Sequence, residues 1–447
     1  MSIPTTEQTT KVAVHDIPRL PPELWLLIFC FATSAPIIYS EYEPFQSRYH
    51  HDTITTTSTT TALSDSALRD KCAITLVCRQ WRALAGDMRY EDIRIGHGIS
   101  ALHAALNEPL DGIPDGTITA RHRVRRAVLP YAHTATPTHH APPALALLAL
   151  LPNLEVLVRP PIPPQPPPAS HRPPIPTPFS PSSLRFEFTT AAPALPALRR
   201  LEWAFDKTGA AARAGGINSL TDMLAASAPT LHELVLTGPM PLAALRQHRL
   251  RLCALRTLRL HAGAGSCPLV VRQTTYWVLP VLQNVVVEGA VPAEALEALW
   301  EKFGGQVHVL ELEVGGAGAG MSMGDVGKIV GVCPALEELN LRVDVADLNL
   351  CWNLTTDSDD NVTGTWGCMH DTLQRVGVCV DAGEWSVKTW TAVVEYVGKL
   401  WKGCPGLRQV VLYVHDVQVA VQNSQFHALR ETVSLSGRQL LLRLVHA

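Results

Sequence analysis

One template, L-x-x-L-x-L, returns eight times along this chain and narrows the folds open to it. It reads Leu198-Arg-Arg-Leu201-Glu-Trp203, Leu231-His-Glu-Leu234-Val-Leu236, Leu255-Arg-Thr-Leu258-Arg-Leu260 and Leu282-Gln-Asn-Val285-Val-Val287. It continues as Val307-His-Val-Leu310-Glu-Leu312, Leu336-Glu-Glu-Leu339-Asn-Leu341, Leu373-Gln-Arg-Val376-Gly-Val378 and Leu407-Arg-Gln-Val410-Val-Leu412. Successive starts are 33, 24, 27, 25, 29, 37 and 34 residues apart, so similar units follow one another without an identical period. Side chains alternate along a strand, so the fourth and sixth template positions share one side. Asn153-Leu154-Glu-Val-Leu157 reads as an earlier copy, and Val124 to Leu129 as a degenerate first strand.

Helix-like segments lie between the templates. Pro292 to Phe303 sets Leu296, Leu299, Trp300 and Phe303 on one face, with Gly304 as its stop. Ser386 to Leu400 does the same with Val387, Trp390, Val394 and Val397, and Asn218-Ser219 resembles a capped helix start. Strand, helix and parallel strand in repetition predict an irregular α/β solenoid over 118–447, with right-handed crossovers. The repeat lengths resemble those of leucine-rich repeats. In such an array strands line the concave side and helices the convex side, and Pro334 and Pro405, each behind a cysteine, mark helix-to-strand turns.

The composition agrees with repeated burial: 47% of the 447 residues are hydrophobic and only 17% charged. Lys plus Arg number 37 against 40 Asp plus Glu, too balanced to draw a polyanion on bulk charge. Arg121-His-Arg-Val-Arg-Arg126 is the one basic run, and its alternation suits entry to a strand better than a nucleic-acid patch. The ten cysteines contain no C-x-x-C pair and read as buried free thiols of a reducing compartment. Residues 159–183 form a Pro-rich loop that interrupts the array, and residues 1–16, rich in Thr, read as a disordered tail. The apolar stretch from Leu24 to Ile38 is shorter than the ~20 residues a membrane span needs. The expectation is a soluble protein of the cytoplasm, the nucleus or both, with neither membrane nor nucleic acid as partner.

Reactive chemistry is not legible. The glycine-rich stretch from Gly315 to Ile329 imitates a phosphate loop, but Ser322 stands where the first glycine should be and Ile329 where the hydroxyl should be. It reads instead as the loop between Leu312's strand and a helix at Asp325. His50-His51, His139-His140 and Asp359-Asp360 lie in polar or Pro-flanked stretches without metal-ligand spacing. No metal, no cofactor and no catalytic residue is expected.

Residues 17–95 are different in kind: two apolar, helix-like segments around an insert at about 33–64. In the first, Leu20, Leu24, Leu27, Ile28 and Phe31 make one face, and Trp25 and Phe29 a second. Pro21, Pro22 and Glu23 suit a helix's first turn. The second, Asp65 to Ala85, carries Leu68, Cys72, Leu76 and Leu84 in a stripe, with Val77, Cys78 and Trp81 adjoining. Helices apolar nearly all round are buried or bound to a partner.

Leu20-Pro-Pro-Glu-Leu24, then Ile28-Phe29, then Leu76-Val77-Cys78-Arg79-Gln-Trp81 resemble an F-box, whose opening reads L-P-x-E-[LI] and whose later helix carries V-C-[RK]-x-W. The resemblance covers about 65 residues and departs from the family in its insert of about 35. It implies a substrate-recognition subunit of a Skp/cullin/F-box ubiquitin ligase, not an enzyme itself. The partners implied are a Skp-type adaptor, through it a cullin-RING ligase, and an unknown target protein. Leu20, Pro21, Leu24, Ile28, Phe29, Val77, Cys78 and Trp81 would anchor the adaptor. The target would meet strand positions of the array: Glu202, Arg259, Glu311, Asn340, Glu338 and Arg342, with Glu233, Glu288 and Arg375 beside them. The alternative is an interaction scaffold whose F-box-like helices only cap the array.

Overall fold

The computed structural model describes residues 20–33, 42–45, 69–95, 99–108, 119–129, 144–159, 195–204, 216–237, 249–261, 271, 274–289, 291–315, 321–344, 370–381, 387–404, 406–414, 424–435 and 437–444. The Thr-rich start, most of the insert and the Pro-rich loop lie outside these residues, as do the paired histidines and Asp359-Asp360.

The described elements begin with helices α1 (Pro22–Thr33), α2 (69–77) and α3 (Arg79–Arg89), then strand β1 (Asp92–Arg94) and helix α4 (Ile99–Asn107). There follow β2 (Arg126–Val128), α5 (Ala144–Ala149), β3 (Val156–Arg159), β4 (Arg200–Ala204), α6 (Gly216–Ser227), β5 (Glu233–Thr237), β6 (Thr257–His261) and β7 (Asn284–Glu288). The rest are α7 (Ala293–Phe303), β8 (Val309–Val314), α8 (Met323–Gly331), β9 (Glu338–Asp344), β10 (Arg375–Asp381), α9 (Val387–Gly403), β11 (Gln409–Val414), α10 (Ser424–Leu435) and β12 (Gln439–Leu444). All 12 strands form one sheet in sequence order, each parallel to its neighbour. This is an α/β, solenoid-like fold.

Each of the eight templates supplies one strand, β4 to β11, and its leucines go inward. Leu201, Leu234, Leu258, Val285, Leu310, Leu339, Val376 and Val410 are all fully buried in one continuous core. Helix faces close that core from one side: Leu296, Leu299, Trp300 and Phe303 of α7, and Trp390 and Val397 of α9. Burying a side chain of this size stabilises by roughly 1.5–3 kcal/mol, so the recurrent leucine is what holds unit to unit.

The sequence reading needs amendment in four places. Strands β1 and β12 belong to the sheet, although neither carries the template. Strand β1 falls within 17–95, yet it pairs with β2 through Asp92, Ile93 and Arg94. Helix α6 begins at Gly216, so Asn218 and Ser219 lie inside its first turn rather than before it. Of the segment Asp65 to Ala85, the described part from 69 onward is two helices: Cys78 breaks it, with extended backbone (φ −158°, ψ 169°) and its Sγ accepting from the Trp81 N–H at 3.4 Å. A side chain in the N-cap position satisfies an amide hydrogen that the helix leaves open, which starts α3 here. Finally, Cys30, Cys72, Cys78 and Cys253 are exposed, whereas Cys333, Cys379 and Cys404 are buried. Burial alone pushes the Cys333 thiol up to about 12, which keeps it protonated and unreactive.

Candidate functional site

Two surfaces stand out. The first is on the N-terminal helices. Trp25, Phe29 and Trp81 stack into an aromatic cluster, with ring centroids 4.9 Å apart for Trp25–Trp81 and 4.8 Å for Phe29–Trp81. That cluster fixes which side of α1 turns inward: Phe29 and Thr33, four residues apart, are buried. The stripe at three- and four-residue spacing therefore points outward. Leu24, Leu27, Ile28 and Phe31 are 45, 51, 44 and 78% exposed, and Leu76 and Val77 on α2 are 73 and 60% exposed. Isolated exposed leucines are ordinary, but six large apolar side chains exposed on α1 and α2 are not.

The eight sequence-predicted adaptor residues thus divide. Leu24, Ile28, Val77, Pro21 and Cys78 are exposed, and Leu20 is half-buried. Phe29 is buried and Trp81 half-buried, and the two rings pack against each other, so they position the outer stripe rather than meet a partner with the full ring. Cys78 acts on the backbone of α3. Leu27, Phe31 and Leu76, which periodicity placed on the same stripes, complete the outward face.

The second surface is the side of the sheet turned away from the helices. Strand register lines up Glu202, Val235, Arg259, Val286, Glu311, Asn340, Gly377 and Val411 as one row across it, β4 to β11. The predicted target residues all fall on this face, and ion pairs link them. Arg200 meets Glu202 at 2.8 Å and Glu233 at 3.2 Å, while Glu233 also takes Arg259 at 2.8 Å. Arg375 reaches Glu338 at 3.3 Å and His261 reaches Glu288 at 3.3 Å.

These residues are nevertheless covered. Arg259, Glu311, Asn340 and Arg342 are 3, 3, 0 and 5% exposed because Tyr42 to Phe45, from the N-terminal insert, lies over them. The Tyr42 hydroxyl donates to Glu311 Oε2 at 2.7 Å and accepts from Asn340 Nδ2 at 2.8 Å. The Arg259 guanidinium stands over the Tyr42 ring, 5.4 Å from its centroid, and donates to the Glu43 carbonyl at 3.3 Å. Phe45 packs edge-on against Tyr413 at 4.7 Å, with Cys379 and Val411 beneath it and Arg342 5.7 Å from its ring. Its amide donates to the same Glu311 oxygen at 3.1 Å. No signal within Tyr-Glu-Pro-Phe announced this placement, because its partners lie more than two hundred residues away.

The charges respond to this burial. Burial pushes the Glu311 carboxyl up; Arg259 draws it down, Glu288 adds to the rise, and it stays above the ordinary carboxylate range. Burial also raises the Tyr42 hydroxyl, helped by the Glu311 charge, so it remains a donor. For Glu288 burial is outweighed by the hydrogen bond and charge of His261 together with Arg259 and Arg342, and its carboxyl is held low. Burial works against the charge of Arg259 too, but Glu233, Glu311 and Glu288 outweigh it and the guanidinium stays protonated.

Among the described residues no group of three or more His, Cys, Asp or Glu could hold a metal ion, and no helix is long and apolar enough to cross a membrane. At the glycine-rich stretch, Ser322 caps α8 and bonds Asp325, and Lys328 pairs with Asp325 at 3.3 Å on the surface. Within the basic run, Arg126 is bound to Asp92 at 2.6 Å and Arg125 to Glu155 at 3.6 Å, so part of its charge is spent inside the sheet's first strands. Compared with known proteins, the chain matches no family model and no curated protein.

Proposed function

We propose that this chain is the substrate-recognition subunit of a Skp/cullin/F-box ubiquitin ligase, with α1 and α2 docking a Skp-type adaptor and the array holding a target protein. The chain would bring two proteins together and catalyse nothing itself; the tethered target's high local concentration at the ligase drives transfer. The observation that carries this reading is the outward apolar stripe Leu24, Leu27, Ile28, Phe31, Leu76 and Val77. It coincides with the segments whose sequence resembles an F-box. The rival reading, helices that merely cap the array, requires that stripe to lie against the first repeats. Against that stands the exposure of all six side chains, while the contact of the helices with the array core runs through Tyr90 at the end of α3. The F-box identity rests on the sequence resemblance and the ligase on that identity.

Co-purification with a Skp-type adaptor tests this. The folded wild type is expected to retain the adaptor, and Leu24→Glu with Ile28→Glu to lose it by at least tenfold, since buried anchors contribute ~2 kcal/mol or more each. Both side chains are exposed, so the melting temperature of the double variant should hold. A folded wild type that does not retain the adaptor ends the ligase reading; an undiminished double variant ends the assignment of this face.

A further inference from the structure

We propose that the open face between β6 and β11 is a peptide-binding groove for an aromatic pair on a tight turn, and that Tyr42 to Phe45 fills it in cis. The inference rests on the reading that the array receives a target protein; it adds what that target presents.

The groove has the features of a built site. It offers one subsite to a phenol, formed by Glu311, Asn340 and Arg259, and another to a phenyl ring, formed by Tyr413, Val411, Cys379 and Arg342. The two are bridged by bonds to backbone, from Arg259 to the Glu43 carbonyl and from the Phe45 amide to Glu311. Those bonds carry no side-chain identity, so any chain with the same turn can make them. The segment's own conformation is costly: Phe45 has φ 61°, a left-handed backbone that a bulky residue rarely adopts and that must be held by its surroundings.

Space for the ligand comes from Gly377. A Cβ there would run into Asn340 Oδ1 and lie 3.0 Å from the Tyr413 ring. Glycine at this point of a strand leaves both side chains free to line the groove. The fit is also incomplete. Among the described residues, Arg259 Nη1, Asn340 Oδ1 and Tyr413 Oη are buried with no hydrogen-bond partner. A buried polar group left open costs about 1–3 kcal/mol, so a ligand that supplies those bonds binds better than residues 42–45 do.

The chemistry sets the partner. Tyr must come first, because its hydroxyl both donates to Glu311 and accepts from Asn340. The chain then turns at Pro44-Phe45, so the second aromatic stands in the turn itself. A phosphorylated tyrosine is excluded, since its phosphate would be forced against the Glu311 carboxylate.

Fluorescence anisotropy on the full chain tests the groove, with a labelled synthetic peptide of the sequence of residues 40–47. The peptide is expected to bind Tyr42→Ala/Phe45→Ala at least tenfold tighter than wild type, because the tethered competitor is gone. Phosphorylating the peptide's tyrosine, or adding Gly377→Leu to the double variant, should weaken binding at least tenfold. Equal affinity for wild type and a folded double variant, or no binding to either, overturns the proposal. Should the double variant melt early, Phe45→Ala alone is used, and an affinity equal to wild type overturns it there. Adaptor retention is measured on the same preparations: its loss counts against the ligase reading only, and peptide failure with adaptor retained counts against the groove only.

Discussion

The N-terminal helices and the repeat array solve the burial problem in opposite ways. Among the described residues the array spends most of its apolar side chains on its own core: from Ile93 to Leu440 one continuous cluster runs through strands and helices. Helix α1 is no less apolar but places Leu24, Leu27, Ile28 and Phe31 in solvent, keeping Phe29 as its buried aromatic. A region that repeats can always bury a face against the next copy. Three short helices cannot, and the surplus becomes a surface for something else.

The contrast can be broken most forcefully inside the array. Leu310 sits in β8 between fully buried neighbours on both sides, so Leu310→Ala should cost ~4 kcal/mol, near the top of the range for a buried leucine. Denaturant unfolding should show the main transition shifted, with adaptor retention by the folded protein unchanged. Phe29→Ala should cost somewhat less, ~3 kcal/mol, and confine the loss to the helices. Hydrogen exchange should then quicken over 22–33 while β7 to β10 keep their protection; equal loosening of those strands would show that the two regions form one cooperative unit.

A smaller effect separates two carboxyls of the open face. Glu288 is depressed in the folded state, so its contribution is present above the ordinary carboxylate range and lost as pH falls through its lowered value. Glu311 is raised, so its contribution is full in acid and fades as pH climbs from the ordinary value to its raised one. Stability measured from acid to neutral pH should therefore tilt in opposite directions for the two variants. Glu288→Gln should flatten the acid loss, and Glu311→Gln should make stability rise more steeply with pH. Parallel profiles would show that the two groups do not differ as their surroundings require.

Much of the fold was legible because burial in a strand or helix leaves a local period. The eight templates mark β4 to β11, and the face of α7 falls on Leu296, Leu299, Trp300 and Phe303 as spaced. The end strands were harder. Strand β1 has one apolar residue, Ile93, between Asp92 and Arg94, and its place depends on the Arg126–Asp92 pair with the next strand. The break at Cys78 was also hidden, since an apolar stripe continues across it and only the Sγ cap reveals two helices.

For the candidate sites, sequence alone determined which residues are apolar, how often they recur and which positions share a face. It could not decide between the two stripes of α1, because both have helical spacing; Trp81, about fifty residues on, decides by stacking on Trp25 and Phe29. Nor could it place Tyr42 to Phe45 on Glu311, Asn340 and Tyr413. Periodicity records that a side chain is buried, whereas the partner that buries it is set by the closing of long loops and by complementary shape and charge, which only the assembled sheet provides.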